Sequence, residues 1–209
     1  PVFSYVAAKS VAILWPKHTM ALGTVVQIVY LAVLVSIESL GWPLALLGVL
    51  GSLSYALYNI AIQVDFSKVK HTEHGGKELS FITICERIGS SIGPLVGGLV
   101  ASFYNPKATI VIAIIIMAGS LIPIFMSAEP TKVNQKIVLK GFPWRRHKWD
   151  FISAGFFGIE NVVSVVIWPI FIALAVFQKN TFAAIGLLIS LSTAVALLAI
   201  YLIGKLIDK

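Results

Sequence analysis

The chain has 209 residues, of which 58% are hydrophobic and 12% charged, with a formal net charge of +7. Its mean hydropathy is +0.92. A soluble domain carries roughly 45–50% apolar and about 25% charged residues, so this composition argues against a water-soluble globular fold, against disorder, and against nucleic-acid binding as the meaning of the basic charge. One cysteine, Cys85, leaves no internal disulfide and no thiolate metal cluster. The first residue is Pro1 and no cleavable leader precedes an apolar core, so the chain reads as a piece of a longer protein.

About 20 apolar residues carry a helix across ~30 Å of hydrocarbon. In chain order, an apolar piece at about 2–15 is short and carries Lys9, and reads as the trailing end of a span. Full spans are expected at about 19–38, 42–64, 79–104, 108–127, 151–176 and 182–203. Barrel strands would alternate polar and apolar residues. Ile110 to Met117 does not alternate. Helices fit, because in lipid every backbone group must be bonded within its own segment. The expected fold class is therefore all-α, a polytopic helical membrane protein.

Loop charge then orients the spans. If the ends alternate, one side receives Lys17, then Lys68, Lys70 and Lys77, then Lys132, Lys136, Lys140, Arg145, Arg146 and Lys148, and finally Lys205 and Lys209. The other side receives Lys107 and Lys179. Basic residues mark the cytoplasmic face, so loops 65–78 and 129–150 are expected in the cytoplasm. His71 and His74 lie three apart in the first of these loops without further local ligands, and read as solvated residues rather than a metal site. The connection 129–150 is the longest polar stretch and the natural boundary. It separates 1–128 from 151–209. Trp144 and Trp149 flank its Arg145–Lys148 cluster and suit an interfacial depth.

The 79–104 span contains G-S-S-I-G-P-L-V-G-G. Gly89, Gly93 and Gly97 recur every four residues, on one helix face that lets another helix approach closely. Pro94 predicts a kink near residue 90. The string Gly89, Gly93, Pro94, Gly97, Gly98 resembles the fifth-helix motif of the major facilitator superfamily, and its drug-efflux antiporter branch in particular. The turn His74-Gly75-Gly76-Lys77 resembles the basic turn before that helix. Gly204, Asp208 and Lys209 at the chain end are similar to the G-x-x-x-D-R/K turn after the eighth helix. The chain departs from the pattern in three places. Ser80 stands where the efflux form has a further glycine, the 42–64 span has no charge, and Lys9 to Met20 lacks the usual turn after the second helix.

The resemblance implies a fragment running from the end of the second helix to the eighth in a two-half, twelve-helix transporter. On that reading 1–128 belongs to the N-terminal half, 129–150 joins the halves, and 151–209 begins the C-terminal half. The motif span is expected to pack against the opposite half and to bend during the cycle.

Charged residues inside a bilayer cost ~2.5–3.5 kcal/mol and usually face a cavity or partner. Glu160 lies nine residues past Phe151, about 14 Å along the helix and near the midplane, and is followed by Asn161. Transporters built from repeats, this superfamily among them, place substrate and coupling-ion sites at that depth. Glu160 then reads as a proton carrier or a counter-charge, or as a buried carboxylate paired elsewhere. Glu86 and Arg87 sit nearer the cytoplasmic end, and Gln27, Asn59 and Gln63 are candidates to line a cavity or to bond across helices.

The resulting expectation is secondary transport of a small-molecule substrate by alternating access, coupled to protons and possible as efflux. No cofactor and no metal are implied. The expected location is the inner or plasma membrane, with the lipid bilayer and the rest of the chain as partners. A non-transporting sensor or assembly protein on the same scaffold is the alternative. An intramembrane enzyme is disfavoured, since the spans contain no histidine and no aspartate.

Overall fold

The computed structural model describes residues 2–69, 75–127, 145–176 and 181–207. Every element among them is a helix. In chain order these are α1 (Val2–Leu40), α2 (Leu44–Val69), α3 (Gly75–Phe103), α4 (Pro106–Met126), α5 (Lys148–Val162), α6 (Trp168–Phe171) and α7 (Thr181–Ile207). Two π-helical turns, Val163–Ile167 and Ile172–Val176, flank α6 and make 148–176 one continuous helical rod. Four stretches are long and apolar enough to cross a membrane: Phe3–Leu40, Leu44–Lys68, Pro106–Met126 and Lys148–Val176. They overlap the expected spans at 19–38, 42–64, 108–127 and 151–176, and the first also takes in the 2–15 piece. The expected 79–104 span is helical within α3, but Glu86, Arg87, its glycines and its serines dilute the apolarity, and it falls outside these four. α7 carries the apolar stretch Thr181–Leu197. His71, His74, most of the 129–150 connection, Lys179, Asp208 and Lys209 lie outside the described residues, while Gly204 falls within α7.

The chain forms two compact units, Pro1–Glu78 with Lys107–Val138, and Leu79–Pro106 with Leu139–Lys209. The first contains α1, α2 and α4. The second contains most of α3 with α5, α6 and α7.

In the first unit the expected 2–15 piece and the 19–38 span are two arms of α1, broken at Trp15. Trp15 has φ 64° and ψ 164°, a region that glycine tolerates and other residues enter at about 1–3 kcal/mol. The bend is held by packing. Pro16 opens the second arm with its φ already set for a helix, and the Thr19 hydroxyl donates to the Trp15 carbonyl at 2.9 Å. Pro16 and Thr19 are both fully buried. The arms close on α2. Ala7 from the first arm joins Ala56 and Leu57 of α2, with Phe3, Val26, Leu53 and Ile60 around them. Val11 and Ala61 form a second cluster with Met20, Ile60 and Val64. Gly23 permits the close approach, since a Cβ there would lie 2.9 Å from the Tyr58 backbone nitrogen.

α4 is tied to the second arm of α1 at both ends. Lys17 Nζ donates to the Phe125 carbonyl at 3.1 Å and to that of Ser127, satisfying carbonyls at the α4 C-terminus. At the other end Lys107 and Glu38 form an ion pair at 2.6 Å. The two helices are therefore antiparallel, in agreement with the alternation of ends deduced from loop charge. Otherwise α4 has no buried residue. Ile115 and Ile116 are 65% and 66% exposed, a surface suited to hydrocarbon and not to water.

In the second unit, Pro169 stands inside the helical rod 148–176. Proline lacks an N–H and crowds the preceding turn. The ladder widens in response: the Trp168 N–H bonds to the Val163 carbonyl, five residues back, while dihedrals stay helical at Val162, Trp168 and Ile172.

Replacing Lys17 with Met removes a cation and its donors from the α4 C-terminus. We expect thermal unfolding in detergent to reveal a loss of up to about 1 kcal/mol. Glu38→Gln should leave the midpoint nearly unchanged, because the Lys107–Glu38 pair is solvent-exposed.

Candidate functional site

The second unit contains a close helix crossing built from the glycine–proline motif. α3 and α7 run antiparallel, with Ser91 beside Ser190 and Ser102 beside Ala183. The Ser91 hydroxyl donates to the Ser190 carbonyl at 3.3 Å. The Ala183 N–H, in the first turn of α7, donates to the Ser102 hydroxyl at 3.1 Å, so a side chain of one helix caps the start of the other. Between these bonds the backbones nearly touch. A Cβ on Gly98 would collide with the Phe182 carbonyl and lie 3.2 Å from Gly186 Cα. A Cβ on Gly186 would collide with the Pro94 carbonyl. Pro94, Gly98 and Gly186 thus form the tightest part of the seam. Around Gly89 and Gly93 an added Cβ meets nothing within 4 Å. The serine hydroxyl of Ser190 is buried and has no hydrogen-bond partner among the described residues.

The ionisable candidates do not share that seam. Glu86 and Arg87 are exposed on α3. Glu160 and Asn161 are exposed on α5. The Glu160 carboxylate accepts a hydrogen bond from the Ser164 hydroxyl at 2.6 Å. Ser164 belongs to the π-helical turn, so the carboxylate is coupled to the irregular part of that rod.

The first unit holds a cavity of about 400 Å³. Its walls come from Gly23, Thr24 and Gln27 on α1, from Ser54, Tyr55, Tyr58 and Asn59 on α2, and from Met117 and Ser120 on α4. Gln27 and Asn59 meet there as cavity-lining residues. Gln63 is exposed and not part of the wall. Thr24, Ser54, Tyr55, Tyr58 and Ser120 were not among the expected candidates. The signal was present: residues 54, 55, 58 and 59, like 23, 24 and 27, follow the 3.6-residue period as polar stripes on otherwise apolar helices. Several of their donors are already committed. The Thr24 hydroxyl donates to Met20 O at 3.1 Å, that of Ser120 to Met117 O at 2.7 Å, and Asn59 Nδ2 to Tyr55 O at 3.0 Å. The Ser54 hydroxyl donates to Gln27 Oε1 and also reaches Gly51 O at 3.0 Å.

An all-helical chain with membrane-length apolar rods and a glycine-lined helix crossing is a polytopic membrane protein. A family model described as the Major Facilitator Superfamily matches residues 2–209, and the chain belongs to that superfamily. Searches of the curated proteins and of the solved structures gave no match. Members of the superfamily are membrane transporters rather than enzymes, and membrane transport of a small solute is the activity this membership supports.

The seam makes a differential prediction. Gly98→Leu or Gly186→Leu should force α3 and α7 apart, costing about 1–3 kcal/mol or more in thermal stability. Gly93→Ala should be tolerated. Thermal unfolding of the three purified variants checks the ranking, and equal midpoints would dissolve the seam.

Proposed function

We propose that the protein moves a small solute across the inner or plasma membrane by alternating access, driven by the proton gradient, with the basic loops in the cytoplasm. The observation that carries this reading is the α3–α7 seam. It joins a helix of the sequence-defined first half, 1–128, to one of the second, 151–209. It includes backbone contacts at Pro94, Gly98 and Gly186 and two serine-mediated hydrogen bonds. Such a contact opens without repacking a core and closes again in register, as a gate must. On the loop-charge orientation, the Ser102–Ala183 end of the seam lies toward the outside.

Glu160 supplies the coupling group in this reading. It lies at mid-span depth, bonded to Ser164 beside a π-helical turn, and π turns recur at functional positions in helices. Protonation removes a charge that is costly in hydrocarbon. Asn161 accompanies it, Glu86 and Arg87 belong to the cytoplasmic end of α3, and the resemblance assigns Gly204, Asp208 and Lys209 to the basic turn after the family's eighth helix. The likeness of the Gly89–Gly98 motif to efflux antiporters supports export as the direction.

Two measurements test the reading. In liposomes bearing the full-length protein, Glu160→Gln should abolish uptake driven by an imposed pH gradient while sparing exchange driven by solute alone. Unchanged pH-driven uptake removes Glu160 from coupling. In a Cys85→Ser background, Lys107→Cys should react with an impermeant thiol reagent added outside intact cells. Labelling only after lysis would reverse the orientation.

A further inference from the structure

The cavity of the first unit narrows the class of solute, and this inference rests on the transport reading above. We propose that it holds an uncharged, hydroxyl-bearing solute, selected by the Gln27 amide. None of the described residues that line it is charged. Charges on α1 and α4 are engaged elsewhere: Lys17 on the α4 carbonyls, and Lys107 with Glu38. A charged solute entering this space would give up water without gaining a counter-ion, a loss that a low-dielectric setting magnifies.

The wall is mostly apolar with a few polar groups, and suits a neutral ligand that has both an apolar face and hydroxyls. Hydroxyl protons of Thr24 and Ser120 are spent on their own helices, so these groups offer lone pairs to solute hydroxyls. Asn59 spends one N–H on Tyr55 O and keeps its second N–H and its carbonyl oxygen. Two further N–H donors on the same wall belong to Gln27. Ser54 bonds its carbonyl oxygen and so leaves the amino edge of the amide for a ligand. Tyr55 and Tyr58, three apart on α2, add aromatic surface against which an apolar ring face can rest. A volume of about 400 Å³ accommodates one small molecule.

The test uses three probes with one six-carbon body and different charge: D-glucose, D-glucosamine and D-gluconate, at mildly acidic pH. Binding to the purified full-length protein is read by calorimetry, and flux by uptake into liposomes. Glucose should bind at least about tenfold more tightly than either charged relative. Gln27→Met, which keeps volume and removes the amide, should weaken glucose binding about tenfold. Ser54→Ala, which frees the amide to rotate, should weaken it by a smaller factor. Thermal unfolding confirms that each variant is folded. Absence of glucose binding, equal or tighter binding of a charged probe, or full affinity in folded Gln27→Met overturns the assignment. Glucose bound but not carried across liposomes would overturn the transport reading and leave the cavity assignment standing. Flux of a charged probe alone would do the reverse.

Discussion

In hydrocarbon a backbone amide has no water to bond, so each one must find its partner inside the protein. Much of this structure follows from that single constraint. Every described element is a helix, and the sites where a helix is interrupted are the sites where other groups step in. At the break, the Thr19 hydroxyl donates to the Trp15 carbonyl. At Pro169 the ladder shifts to a five-residue spacing in place of a lost bond. At the end of α4 the Lys17 ammonium reaches across to the carbonyls. At the start of α7 the Ser102 hydroxyl receives a first-turn N–H. These are four different chemical solutions to one problem.

The same constraint shapes where helices meet. Lipid tails are as apolar as leucine, so burying leucine against leucine brings little net gain between spans. What does distinguish one contact from another is closeness and hydrogen bonding. The α3–α7 crossing uses both, with glycines removing the side chains and serines supplying the bonds. The α1–α2 contact uses alanine and glycine in the same way, at Ala7, Ala56, Ala61 and Gly23, and adds larger apolar residues around them. The broken α1 therefore embraces α2, while α4 is held mainly at its two ends. The cavity lies among these three helices, lined by the polar stripes of α1 and α2 and by Met117 and Ser120 of α4.

A transporter needs a contact that opens and a space that recognises. In this chain the two are chemically distinct. The seam is a backbone contact that depends on the lack of side chains. The cavity is a side-chain surface of amides, hydroxyls and aromatic rings without a formal charge. The carboxylate at Glu160 belongs to neither. It sits in the second unit beside a π turn, on a rod with an irregular hydrogen-bond ladder. On the proposed reading, separating recognition from coupling in this way would let an ion gradient drive a neutral solute.

The amino-acid sequence by itself determined the class and the threading. Apolar length and the lack of alternation dictated helices, and the placement of lysines and arginines in the loops implied which ends lie together. The ties at Lys17 and Lys107 agree with that threading. The glycine–proline string also announced a close crossing, because spacing alone puts small residues on one face. Tertiary structure decided the rest. It showed that the crossing runs through Pro94, Gly98 and Gly186 rather than through Gly89 and Gly93, which depends on where α7 lies. It joined the short first piece to the next span through a backbone conformation at Trp15 that a residue's identity does not announce. It also brought Gln27 to Ser54, 27 positions away, and made a cavity of two polar stripes that are unremarkable when read apart. Periodicity is a property of one helix, whereas a cavity belongs to the space between several, and that space exists only once the helices have packed.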